Sequence, residues 1–179
     1  MRYLSALTFG LCFVCCSDGR TDTPAPAPIT VPFEMLITRH MTVQVKVNGK
    51  GPYRVIFDTG APITLISSKV AKEAGLAGGG GNSIFGLGSL FGGVSPTKAK
   101  TLSIGDLEAK DVPVIVMDHP TVEVLASILG PIEGIVGFPF FARYRMTLDY
   151  QAKELTFVPN GYEPRDVLEM MMNTVMSQG

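Results

Sequence analysis

The chain has 179 residues, the usual size of one domain, and a formal net charge of -1. With no long run of Lys or Arg, nothing in that balance asks for a nucleic acid or an anionic membrane as partner. Its 20 Gly, 13 Pro and absence of Trp favour strands and turns over a helix bundle.

The first segment, "MRYLSALTFGLCFVCC", opens with a positive Arg2 and continues as an apolar run to Cys16. That is the layout of a secretory signal, too short to span a bilayer comfortably as a permanent helix. Residues 17–32 follow as a Pro-rich extended tether. Signal, tether and domain in that order resemble a bacterial lipoprotein, in which Cys16 would be the lipidated residue and the N-terminus a membrane anchor. Cleavage near Ser17 by an ordinary signal peptidase is the competing expectation, since Cys15 stands where the lipoprotein pattern prefers Gly, Ala or Ser. Either route places the protein across the inner membrane, in the periplasm or tethered in the cell envelope. Cys12, Cys15 and Cys16 are the only cysteines, so disulfides and Cys-based zinc sites are excluded from the rest of the chain. His40 and His119 lack companion ligands at metal-binding spacing, so no metal site is expected.

From residue 33 the pattern is that of strands. "MTVQVKV" at 41–47 places Val43, Val45 and Val47 on one face of a half-buried strand. Asn48-Gly49 is a strong hairpin signal, and "PYRVIF" at 52–57 is the returning strand. That strand stops at an acid, Asp58, followed by Thr59, Gly60 and Ala61, before "ITLIS" at 63–67 resumes as a strand. A carboxylate between two core-forming runs is costly to bury unless it is paired or bonded. Taken alone, Asp58 is as well explained as a turn residue capping its own backbone.

"SKVAKEAGL" at 68–76 reads as a short helix ended by Gly75. Residues 78–93, "GGGGNSIFGLGSLFGG", hold eight glycines in sixteen positions, which no stable helix accommodates. Ile84, Phe85, Leu87, Leu90 and Phe91 punctuate them, giving a loop or ribbon with apolar teeth. Gly86-Leu87-Gly88 lacks the third glycine of a dinucleotide site, and no Gly-Lys-Ser/Thr follows. Residues 100–118 read as strand, Gly turn, strand, and 119–131 as a less regular connection. Ile135-Val136 between Gly134 and Gly137 suggest a buried strand with other backbone close by. Residues 146–159 read as a hairpin turning at Gln151 to Lys153. In the tail, 160–179, a helix is expected with Leu168, Met171, Met172 and Val175 on one apolar face. Asp106, Asp111, Asp118 and Asp149 lack the flanks of Asp58 and read as surface or turn acids.

A strand ending in Asp58-Thr59-Gly60-Ala61, a Gly-rich ribbon some 25 residues later, and "IEGIVG" at 132–137 ahead of a closing hairpin resemble the retropepsin-like aspartic proteases over about residues 33–158. The resemblance implies a single-domain, mainly β fold at 33–159: a closed barrel of six to eight strands with one or two short helices. It also implies an aspartic endopeptidase. With one Asp-Thr-Gly in the chain, the active form would be a homodimer in which two copies of Asp58 share a proton and activate a water, with no metal or organic cofactor. Thr59 would lock the paired loops and Gly60 would admit backbone close to the carboxylates. Ala61 would keep the cleft wall small. Ser83, Ile84, Phe85, Gly86, Leu87 and Gly88 would form the flap over a polypeptide substrate. Ile135, Val136 and Gly137 would let strands cross behind the active loop. Pro62 and the long 119–131 connection depart from the retroviral pattern. The alternative is an envelope protein that keeps the fold and binds peptides or partners without cleaving them.

Overall fold

The computed structural model describes residues 26–76, 95–118 and 120–177. The expected signal with Cys16, most of the tether, and His119 lie outside the described residues.

Strands β3 (Met41–Val47) and β4 (Lys50–Phe57) form the hairpin expected from Asn48-Gly49. Both turn residues take positive φ, 50° and 75°, as a tight turn between twisted strands requires. Strand β5 (Thr64–Ile66) leads into the helix α1 (Ser68–Glu73), whose first turn is capped by the Ser67 hydroxyl accepting from Val70 N. Strands β6 (Ser95–Ile104) and β7 (Leu107–Val116) pair along their whole length. The short strand β8 (Gly134–Val136) follows.

These elements close on themselves. β3 pairs with β4, β4 with β8, β8 with β5, β5 with β7, β7 with β6, and β6 returns to β3 through Val45 opposite Ile104. The result is a six-stranded barrel within the mainly β architecture that the Asp-Thr-Gly resemblance implies. Its inward face carries Val43, Val45, Val55, Phe57, Ile66, Leu102, Val112 and Val114, all buried in one apolar cluster. A second sheet, β1 (Ile29–Pro32), β10 (Glu154–Pro159) and β9 (Tyr144–Asp149), adds Val31, Leu155 and Phe157 to that cluster. A two-residue strand, β2 (Glu34–Met35), extends β3.

Two expectations need correction. Residues 29–32 are not tether: Ile29 to Pro32 pair with Phe157 to Glu154, because a strand edge tolerates the proline. The 119–131 connection is regular, with helix α2 at Pro120–Leu129. Its apolar side, Val122, Leu125 and Leu129, finds a partner surface on the barrel, and that contact stabilises a helix the local pattern does not announce. A one-turn helix, α3 (Phe138–Phe141), also follows β8, starting at Gly137 with a proline in its first turn. The tail does contain a helix, α4 (Val167–Ser177), with Asp166 accepting from Glu169 N at its start and pairing with Lys98 at 3.0 Å. The side chains proposed for its apolar face, Leu168, Met171, Met172 and Val175, lie outside the described residues.

Tyr53 links barrel and helix: it is buried on β4, and its hydroxyl donates to Glu73 Oε2 of α1 at 3.0 Å. Burial, and then the Glu73 carboxylate, push its pKa up to about 12. The folded protein thus holds the Tyr53 proton where the unfolded chain releases it. Stability is fully present below the ordinary tyrosine value near 10 and is lost as pH rises from there through about 12. Chemical denaturation across pH 9 to 12 is expected to show this loss, and Tyr53→Phe is expected to reduce its slope.

Candidate active site

β4 and β5 are consecutive in the chain but do not pair with each other. β8 lies between them, parallel to β4 through Ile56–Ile135 and Phe57–Val136, and antiparallel to β5 through Leu65–Ile135. The connection from Asp58 to Ile63 must therefore cross the end of β8. It does so at close quarters. A Cβ on Gly137 would stand 2.4 Å from Ile63 O and 2.6 Å from Ala61 O. At the other end of β8, a Cβ on Gly134 would stand 2.2 Å from Leu65 O. Only glycine fits either place.

The crossing is stitched by backbone bonds. Asp58 N donates to Val136 O at 3.0 Å, extending the β4–β8 ladder by one residue. Ala61 N donates to Asp58 O at 3.2 Å, and Phe138 N donates to Ala61 O at 2.9 Å. Gly137 N donates to the hydroxyl of Thr64, a fully buried residue, at 3.3 Å. Beneath the loop, Phe57 packs on Phe141 with ring centroids 4.3 Å apart, and Phe141 continues to Phe140 and Phe157. Asp58 thus starts from a strand end fixed on both sides and from below.

The carboxylate itself is exposed in the single chain, as are Thr59 and Gly60, while Ala61 is half-buried. Asp58 Oδ1 accepts from Gly60 N at 2.8 Å, so Gly60 supplies a main-chain donor to the acid. A Cβ on Gly60 would lie 3.2 Å from that same oxygen, tighter than ordinary contact. Among the described residues no side chain hydrogen-bonds the carboxylate. The loop can present a rigid carboxylate with one oxygen oriented by backbone and the other turned to whatever docks above it.

Asp58, Thr59, Gly60, Ala61, Ile135, Val136 and Gly137 are brought together in this crossing. The expected flap residues Ser83, Ile84, Phe85, Gly86, Leu87 and Gly88 lie outside the described residues. Two participants escape sequence reasoning. Thr64 looks like one more β-branched strand residue, although a hydroxyl in an otherwise apolar run is the signal that a buried partner is needed. Phe138, whose amide anchors Ala61, carries no signal of its own.

The sequence profile of the aspartyl protease family matches residues 43–140, more than half of the chain. The chain belongs to the aspartyl protease family. Among solved structures, it is similar to a retropepsin-like aspartic protease from Rickettsia conorii, with 17% identity, TM-score 0.48, and coverage of 73% of this chain and 90% of that one. It is also similar to the retroviral protease-like domain of Ddi1 from Leishmania major, with 16% identity, TM-score 0.44, and coverage of 67% and 92%. No curated protein matches the chain.

The crossing makes a graded prediction. Gly137→Ala forces a methyl into two carbonyl oxygens and is expected to cost about 3 kcal/mol or prevent folding. Thr64→Val removes only the acceptor of the Gly137 amide and is expected to cost about 1–2 kcal/mol. Urea unfolding of the two variants checks the order.

Proposed function

We propose that the protein is an aspartic endopeptidase that works as a homodimer. The observation that carries this is the exposed Asp58 carboxylate on a rigid crossing loop, with Gly60 N at 2.8 Å from one oxygen, in a chain of the aspartyl protease family. Catalysis by this chemistry needs a base and an acid together. One chain offers one such carboxylate, and a twofold pairing of Asp58 loops supplies the second.

In the dimer, one Asp58 carboxylate takes a proton from a water while the water oxygen bonds to the scissile carbonyl carbon. The protonated partner carboxyl donates toward the carbonyl oxygen as charge develops there. Collapse of the tetrahedral species breaks the C–N bond, and the amine leaves with a proton returned from the pair. Acid and amine products together account for the water consumed. The Gly-rich ribbon at 78–93 would close over the peptide and exclude bulk water. Thr59, exposed beside Asp58, would hydrogen-bond across the dimer axis. The proposed envelope location rests on the layout of residues 1–16 alone.

The test is cleavage of a peptide library by residues 17–179 over a range of protein concentration. Activity per chain is expected to rise with concentration and level off once dimers form, and Asp58→Asn is expected to lower kcat by at least about 10³-fold without changing stability beyond about 1 kcal/mol. A protein that dimerises and holds peptides yet leaves them intact would instead be a binding module on the same fold. Equal cleavage by wild type and Asp58→Asn would remove Asp58 from the mechanism.

A further inference from the structure

Helix α3 is a single turn, and a single turn does not hold itself together in water. Its carbonyl groups show what holds it. Ala142 N donates to Phe138 O at 3.0 Å, while Phe141 N reaches Gly137 O only at 3.5 Å. Pro139 O is closed by a side chain, Arg143 Nε at 3.2 Å. Ala142 O accepts from Asn160 Nδ2 at 3.0 Å, and Arg143 O accepts from Asn160 N at 3.1 Å. The end of the turn is therefore completed by Arg143 and by the first residue after β10.

Arg143 also reaches into the tail. Its Nη1 pairs with Glu163 Oε2, and the guanidinium side chain is 15% exposed against 78% for Glu163. Between them, Asn160 Oδ1 accepts from Tyr162 N at 2.8 Å and turns the chain. Three residues further on, Asp166 pairs with Lys98 of β6 at 3.0 Å. Residues 160–166 thus form a strap that runs from the end of α3 to the barrel.

α3 in turn props the loop that carries Asp58. At its start, Phe138 N donates to Ala61 O at 2.9 Å, and Ala61 N donates to Asp58 O at 3.2 Å. At its end, Phe141 packs on Phe57, the residue before Asp58, with ring centroids 4.3 Å apart. A continuous set of contacts therefore leads from Glu163 through Arg143 and α3 to both sides of Asp58. Arg143, Asn160 and Glu163 all lie beyond residue 140, where the match to the family ends.

We propose that Arg143, held by Asn160 and Glu163 of the strap, is a positioning residue for Asp58. This rests on the proteolytic reading of Asp58. A planar guanidinium that joins Pro139 O to Glu163 fixes direction as well as distance, which a point charge does not. An ion pair with one exposed partner contributes little to stability. Its loss therefore leaves the barrel folded and loosens α3, and a small displacement of a reacting group costs rate far more than it costs stability.

The experiment measures kcat, KM and thermal melting for the wild-type dimer and for Arg143→Gln, Arg143→Lys, Glu163→Gln and Lys69→Gln. Lys69 pairs with Glu133 at the end of β8 remote from Asp58 and serves as the ion-pair control. Arg143→Gln is expected to lower kcat about tenfold with KM within about twofold of wild type. Glu163→Gln is expected to lower kcat about threefold. Arg143→Lys, which keeps the charge and loses the fork, is expected to fall between wild type and Arg143→Gln. Lys69→Gln is expected to leave kcat unchanged. Hydrogen exchange of the Phe138 amide, followed by NMR, is expected to quicken about tenfold in Arg143→Gln. Wild-type kcat or an unchanged Phe138 exchange rate in Arg143→Gln overturns the positioning role and leaves the protease standing. An equal loss of kcat in Lys69→Gln overturns it too, as does a loss explained by dissociation of the dimer in sedimentation. If Arg143→Gln does not fold, the exposed Glu163→Gln decides, and full kcat there overturns the role. A wild-type dimer that cleaves no peptide overturns the reading of Asp58 and the role with it.

Discussion

The structure depends on one steric constraint: β8 must pass beneath the connection between β4 and β5. That passage leaves no room for a side chain where β8 meets the connection at Gly137, or where it meets β5 at Gly134. It also fixes the barrel, because β8 is the only described strand that joins β4 to β5 and so closes the ring. The same geometry that completes the hydrophobic core thus lifts Asp58 out of it. An acid could not sit one residue further back, where Phe57 is packed against Phe141 inside the barrel.

Rigidity of the carboxylate follows from that closure and not from bonds to the carboxylate itself. Its own contact is local, from Gly60 N, as in an ordinary turn. What differs from an ordinary turn is the frame: an amide tied to Val136 O on one side, Ala61 tied to Phe138 N on the other, and the aromatic cluster beneath. The capping account of Asp58 and the catalytic account are therefore compatible, since the cap orients one oxygen and leaves the other for chemistry.

Much of this was legible in the sequence. Alternation in "MTVQVKV", the Asn-Gly turn and the paired glycines around Ile135-Val136 each have a local cause, and each reappears where expected. Helix α2 was not legible, because Val122 and Val124 weaken local helix propensity and much of the surface that rewards the helix, Ile56 and Leu36, comes from distant segments. Strand β1 was hidden by its Pro-rich surroundings, since only its partner β10 distinguishes an extended tether from an extended edge strand. Thr64 illustrates the middle case: its position in a strand was readable, its hydrogen bond to Gly137 N across the crossing was not.

The placement of α2 connects the outer face of the barrel to the strand that bears Asp58. A barrel whose carboxylate loop stands exposed has no side walls of its own on the outer face, where Ile56 and Ile135 would otherwise meet water. Covering that row with a helix buries apolar surface and so contributes to stability. The helix is held at its end by Arg54, which is itself on β4, four residues before Asp58. Any change that shifts β4 would therefore move Asp58 and the end of the helix together. Arg54 thus ties the covered row to the strand that carries Asp58.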